Sequence, residues 1–280
     1  MTCPATGPVV VGVDDSPVSR SAVRLAAREA ATHQLPLRVV HVFDWGPDPT
    51  SPQAELRDSA EQMLADAMAI AVADEPEIEV TTAIIEGHPI VTLLREAAAA
   101  TLIVVGDGNL ATRSNISVDA TAVQIAARAG CGALIAREES PPLGPILVGF
   151  DGSASSRSAL DFAFDSAQRR GRELSVVRVV EAMKAIGDVE AAPVVTDGVG
   201  DELAEALAPW QSRYPSVTVT QRVLAGDPDE ILVEESRSAE LVAVGARGEQ
   251  PWRGALGAVS QALLYHSPRP VLIVRHPAEQ

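Results

Sequence analysis

The chain has 280 residues, 46% of them hydrophobic, and a formal net charge of −16 at pH 7. That is enough apolar material for two ordinary domains with their own cores, and so acidic a surface argues against nucleic acid or an anionic membrane as partner. Lys184 is the only lysine, and neither G-x-x-x-x-G-K-[ST] nor G-x-S-x-G occurs, which excludes a P-loop enzyme and a serine-elbow hydrolase.

There is no apolar run of membrane-spanning length and no basic, apolar leader, so a soluble, cytoplasmic protein is expected. Cys3 and Cys131 cannot build a disulfide framework. The five histidines are scattered, and no metal site is expected.

The elements alternate along the chain. Val9 to Val13 predicts a strand, and Ser16 with Pro17 opens a helix to about His33. Leu37 to Phe43 predicts a strand, about Pro52 to Ala73 a helix, Val80 to Ile85 a strand and Pro89 to Ala100 a helix. Leu102 to Val105 is a fourth strand, Val118 to Ala129 a helix and Ala133 to Ala136 a fifth strand. Strands alternating with helices make βαβ units and a parallel sheet.

Glu138 to Gly144, charged and Pro-rich, reads as a linker, and the pattern then restarts. Val11 to Val42 aligns without gaps on Val148 to Val179, with about fourteen of thirty-two pairs identical. Among them are Gly12/Gly149, Asp14/Asp151, Ser16/Ser153 and Ser19-Arg20-Ser21-Ala22/Ser156-Arg157-Ser158-Ala159. The chain is read as a duplication, with domains at 1–139 and 145–280. The second copy repeats the elements: strand Ile146 to Phe150, helix Ser153 to about Arg169 and strand Leu174 to Val180. A loop follows to about Gly200, then a helix to about Trp210, strand Val217 to Leu224 and helix Asp229 to about Ser238.

Leu241 to Val274 closes the second copy and carries the chemistry. The strand Leu241 to Val244 ends in Gly245, with Gly248, Gly254 and Gly257 ahead of the helix Ala258 to His266 and the strand Val271 to Val274. Strand, glycine loop, helix is a layout in which backbone N–H groups and a helix N-terminus can meet a phosphate. On spacing alone it equally fits a tight turn that holds no ligand.

Together these motifs resemble the universal stress protein family. The resemblance is carried by Val-Gly-Phe-Asp-Gly-Ser (148–153), Ser-Ser-Arg-Ser-Ala-Leu (155–160), Val-Gly-Ala-Arg-Gly (244–248) and the run from Gly257 to Leu264 before Pro-Val-Leu-Ile-Val-Arg (270–275). It implies two tandem α/β domains, each an open five-stranded parallel sheet of order 3-2-1-4-5 with helices on both faces. In one branch it implies ATP, with or without Mg²⁺, at the strand C-termini. It also implies that the halves meet along their last strands, Ala133 to Ala136 and Val271 to Val274, as a pseudo-dimer, with homodimerisation open.

The family's ATP signature, G-x-x-G-x9-G-[ST], falls here on Gly245, Gly248 and Gly257 with eight intervening residues instead of nine, and Ala258 replaces the Ser/Thr. The amides of Ala258 and Val259 remain, and Ser260 stands close by. The resemblance brings Gly149, Phe150, Asp151, Gly152, Ser153, Val179 and Val244 to the same site. Asp151 would accept from adenine or ribose, Phe150 would line the base, and the Val179 backbone would meet the adenine edge. Arg247, and less directly Arg253, would offset phosphate charge. His266 reads as a helix C-terminal residue rather than a catalyst.

In the first half the corresponding candidates are Val13, Asp14, Val42, Gly106 and Gly108. The loop is degraded there, with Asn109 out of register and Asp119-Ala120 at the Gly-Ser position, where a carboxylate would repel phosphate. That copy is expected to serve as a fixed partner. No nucleophile–base pair appears, so no catalytic residue is assigned. The leading reading is an ATP-binding stress-response regulator using its second half. The alternatives are a slow ATPase with Asp151 orienting Mg²⁺ or water, and an interaction protein of the same family without nucleotide. A phospho-receiver, suggested by Asp14-Asp15, lacks the lysine such a site needs.

Overall fold

Val9, Val10, Val11 and Val13 carry no charge and are buried, as befits a strand of a parallel sheet covered on both faces. Asp14, Asp15 and Ser16 then turn the chain, and Pro17 sets the φ of the first helical residue. In the computed structural model, residues 7–43, 53–108, 110, 120–138, 143–180, 199–248 and 256–276 are described. The chain forms two compact units, one running to Ser140 and the other from Pro141 to His276.

The first unit contains β1 (Val9–Val13), α1 (Pro17–His33), β2 (Leu37–Phe43), α2 (Gln53–Asp74), β3 (Val80–Glu86), α3 (Pro89–Ala97), β4 (Leu102–Gly106), α4 (Thr121–Arg128) and β5 (Gly132–Ala136). Its strands pair in parallel in the order β3-β2-β1-β4-β5. The second unit contains β6 (Ile146–Gly149), α5 (Ala154–Arg170), β7 (Leu174–Val180), α6 (Val199–Arg213), β8 (Val219–Ala225), α7 (Pro228–Ser236), β9 (Leu241–Gly245), α8 (Ala258–His266) and β10 (Val271–Val274). Its order, β8-β7-β6-β9-β10, is the same topology, again all parallel. This is the expected α/β architecture in both halves.

The cores are the strand residues and the helix faces they meet. Leu102, Ile103, Ile146, Leu147, Leu174 and Leu241 are all buried, each stabilising by roughly 1.5–3 kcal/mol. Phe164 on α5 stacks on Tyr214, ring centroids 5.6 Å apart, and Trp210 Nε1 donates to Asp161 at 2.7 Å, so α6 is fixed across α5.

Five boundaries differ from expectation by two residues or more. α4 starts at Thr121 rather than Val118, because Ala120 is extended and serves as its N-cap, and α7 ends at Ser236 rather than about Ser238, because Ser238 and Ala239 donate three residues back. α3 stops at Ala97 because Ala98, Ala99 and Ala100 donate three residues back instead of four. α6 runs through Pro209 to Arg213, and Tyr214 still donates to the Trp210 carbonyl at 2.8 Å. β8 begins at Val219, two residues late, since Ser216 and Val217 belong to a turn closed by Val217 N–H to Tyr214 O. No helix among the described residues is long and apolar enough to cross a membrane.

Candidate functional site

At the C-terminal ends of β6 and β9 the strand order reverses, and a crevice opens where neighbouring connections part to opposite faces. Two glycines let the second unit's strands end there. A Cβ on Gly245 would stand 2.6 Å from Ser155 Cβ and 2.8 Å from the Ser156 backbone nitrogen, so β9 ends directly against the first turn of α5. A Cβ on Gly149 would meet Leu232 Cδ1 of α7 at 2.8 Å and Val244 Cγ1 at 3.3 Å. Both glycines are thus required by packing, and Val244 and Phe150 are buried beneath the crevice.

Asp151 stands exposed at its rim. Its Oδ1 accepts from the Ser153 amide at 3.0 Å, and its Oδ2 lies over Gly248, 2.7 Å from where a Cβ on that residue would be. Gly152, at φ +86°, makes the turn into α5, a left-handed conformation that favours glycine. Ser153 caps α5, its Oγ accepting from the Ser156 amide at 3.1 Å. The Ser156 hydroxyl donates to the Ser153 carbonyl at 3.0 Å. The Ser153 hydroxyl also lies 3.4 Å from the Arg247 carbonyl, linking α5 to the loop.

β7 overhangs β6. The Phe150 amide donates to the Val177 carbonyl at 2.9 Å, and the ladder ends at Gly149 opposite Val177. Backbone groups alternate along a strand, so Val179 presents its N–H and C=O to the side that β6 has left. Val179 thus offers one donor and one acceptor to the crevice.

The loop after β9 starts with the Ala246 amide donating to the Val274 carbonyl at 2.7 Å, and the Gly257 amide donates back to Ala246 at 2.9 Å. This brings the start of α8 beside Arg247 and Gly248: a Cβ on Gly257 would stand 3.6 Å from Arg247 Cα and 3.7 Å from the Gly248 nitrogen. Gly257 is the N-cap of α8, no side chain among the described residues caps that helix, and its first turn holds no acidic residue. α5 and α7, by contrast, are capped by Ser153 and Asp227. The Arg247 Nε is buried and has no hydrogen-bond partner among the described residues. Ser260 is also buried, and its hydroxyl donates to the Gly245 carbonyl at 2.7 Å, fastening α8 to the end of β9 rather than facing outward. Ala258 is exposed at the helix start, and His266 lies at the far end of α8. Arg253 falls outside the described residues.

The first unit uses the same residues differently. Its β1–β2 ladder closes one residue further, at Val13 opposite His41, which engages the edge that Val42 would present. His41 Nδ1 also stands 2.9 Å from the Val13 carbonyl. Asp14 Oδ1 takes the hydroxyls of Ser16 and Ser19 as well as the Ser16 amide. Ser16 therefore does not cap α1. Partial burial pushes the Asp14 carboxyl up, but the Ser16 and Ser19 hydroxyls, the Ser16 amide and His41 outweigh it and hold the group below its ordinary range.

Gly106 is again a packing glycine, its would-be Cβ 2.5 Å from Val18 Cγ1. Gly108 sits at φ +61°, with none of the described residues within 4 Å of where a Cβ would stand. Between them, where the second unit has Ala246, Asp107 forms a buried ion pair with Arg137 at 3.1 Å. Burial depresses the Arg137 guanidinium, and the Asp107 charge opposes that shift. Sequence reading passed over this pair, although its signal was present: a carboxylate at the first loop position of one copy and alanine in the other. Asn109 and Asp119 lie outside the described residues, and Ala120 is the N-cap of α4.

No group of three or more His, Cys, Asp or Glu that could hold a metal occurs among the described residues. Comparison with known proteins places two matches to the universal stress protein family on the chain, at residues 6–137 and 143–275. A universal stress protein of Mycobacterium tuberculosis is 33% identical over 287 residues, covering 95% of this chain and 96% of that protein. One from Mycolicibacterium smegmatis is 31% identical over 288 residues, with the same coverage. The crystal structure of a universal stress protein from Archaeoglobus fulgidus has the same fold, with a TM-score of 0.74 at 16% identity, covering 96% of this chain and 98% of that one.

Proposed function

The chain belongs to the universal stress protein family, two domains in tandem, and from that premise we propose that it is a cytoplasmic, ATP-binding regulator that holds the nucleotide in its second unit. The carrying observation is the Arg247 Nε, buried and without a partner among the described residues, beside an α8 N-terminus that no described side chain caps. An unpaired buried donor is unfavourable by about 1–3 kcal/mol, and an uncapped helix start favours anions. Phosphate oxygens would meet Arg247 together with the amides of Gly248, Ala258 and Val259. The loss of a hydroxyl at Ala258 is offset by this arginine.

The Val179 N–H and C=O match the acceptor and donor on the edge of adenine; guanine presents the reverse order on that edge. Asp151 would accept from ribose, or approach the magnesium carried by the phosphates. In the first unit the closed ladder at Val13, the bound Asp14 and the Asp107–Arg137 pair oppose a second nucleotide. Calorimetric titration with ATP tests the reading, with about one nucleotide per chain expected; two equivalent sites, or none, would overturn it. The position of the Asp151 carboxylate over Gly248 also favours a second reading, slow ATP hydrolysis. Turnover by purified protein that disappears in Asp151→Asn would establish it.

A further inference from the structure

At the other end of the second unit's sheet, a cavity of about 190 Å³ lies between β6–β8 and the end of α7. Its polar lining is Glu173, Ser175, Thr220, Arg222, Glu235 and Ser238. A cavity needs only ~10–15 Å³ of such space to hold a water, so this one can admit an organic group. No part of the nucleotide crevice contributes to it.

The first unit shows what such a space accommodates. Val10 pairs with Arg38 in the register in which Leu147 pairs with Ser175, so Ser175 is the counterpart of Arg38. Glu96 and Glu235 are likewise counterparts, each the eighth residue of the nine-residue helices α3 and α7. In the first unit the Arg38 side chain crosses from the sheet to the helix, its Nε 2.8 Å from Glu96 Oε2. In the second unit serine stands in its place, and the glutamate is reached instead from β8, by Arg222, at 2.5 and 2.9 Å. The space of the missing side chain is left open. The Arg222–Glu235 pair neutralises itself, whereas Glu173 stands exposed at the mouth. The C-terminal end of α7 is already met by a cation, since Arg269 donates from Nε and Nη2 to the Arg237 carbonyl. The exposed Glu173 carboxylate is therefore the feature that favours a cation, and the hydroxyls of Ser175, Thr220 and Ser238 add acceptors.

We propose that this cavity is a binding site for a small alkylguanidinium, a free ligand taking the place that Arg38 fills in the sister unit. Agmatine is the probe, titrated into the full chain and followed by amide chemical shifts. Saturable shifts confined to the residues around Ser175, Thr220 and Ser238 are expected. Ser175→Arg should restore the sister arrangement and abolish binding, by more than tenfold. Ser175→Met fills the same space without charge and should do the same, which guards against a folding failure of the first variant. Glu173→Gln should weaken binding about threefold, the size of a solvent-exposed ion pair. ATP binding should be unchanged in all three variants, so failure of this proposal and failure of the nucleotide reading are separable. Absence of saturable shifts, shifts located elsewhere, or undiminished binding by both filled variants would overturn it.

Discussion

Arg247→Met separates a ligand-binding arginine from a structural one by the signs of two measurements. Methionine keeps an unbranched stem of similar reach and deletes the buried Nε and the guanidinium. If the nucleotide's phosphates are the missing partner, the substitution removes charge-assisted hydrogen bonds worth about 1.5–3 kcal/mol, or about 10- to 150-fold in ATP affinity. Removing a desolvated donor that lacks a partner should leave the ligand-free protein as stable as before, or more stable by up to about 1 kcal/mol, which corresponds to roughly 3 °C in Tm. At a hundredfold excess of ligand over Kd the unaltered protein gains about 2.7 kcal/mol, of which the variant should lose about 1.3–2.4 kcal/mol at the same ATP concentration. Calorimetry and thermal denaturation with and without ATP supply both readings. Adenosine serves as the control, since its binding should be unaffected. A ligand-free Tm several degrees lower, with ATP affinity intact, would refute the reasoning, because it would mean that the guanidinium serves the fold.

Gly248→Val should abolish ATP binding while the protein stays folded, since among the described residues its Cβ meets only the flexible end of the Asp151 side chain. The matching control is Gly108→Asn rather than valine, because φ +61° there strains a β-branched residue but admits asparagine; ATP affinity should not change. Asp151→Ala should weaken binding without altering the urea midpoint, as Ser153 continues to cap α5. Gly245→Ala should destabilise the second unit by about 1–3 kcal/mol through its clash with the α5 backbone. Gly257→Ala meets only ordinary contacts of 3.6 Å and beyond, so its urea midpoint should not move. For Asp14 the folded pKa lies below the ordinary 3.8, so its stabilisation is complete above that value and is lost as pH falls through the lower one. Asp14→Asn should therefore flatten the acid limb of the Tm–pH curve, and an unchanged limb would remove the basis for that assignment.

The order of elements could be read from the chain because runs such as Leu37–Phe43 and Leu241–Gly245 are short, apolar and bounded by glycine or proline. The end of α3 could not, since Ala97 to Ala100 has no helix stop and only the tightening of its last turn marks the boundary. In the crevice, glycine positions were legible but their purposes were not. Gly149 and Gly245 make room for Leu232 and Ser155, facts that depend on residues distant in sequence. Ser260 looked like a donor for a ligand, yet its hydroxyl is spent on Gly245. Asp14 and Asp151 are identical by alignment but differ in their partners: among the described residues three donors hold one, and a single amide holds the other. One register step at the end of β1 decides whether the next strand has a free edge, and no residue type encodes that step.

That free edge at Val179 has a bearing on how the domain can evolve. A contact made by main chain has no side chain to lose, so any substitution at position 179 other than proline can change packing but not the order of donor and acceptor that the proposed site would offer a base. In the proposed site affinity would rest instead on Arg247 and the short glycine loop, where single codon changes act directly. A lineage could therefore tune how tightly it holds its ligand over a wide range, or abandon it altogether, without passing through a form that has exchanged one base for another.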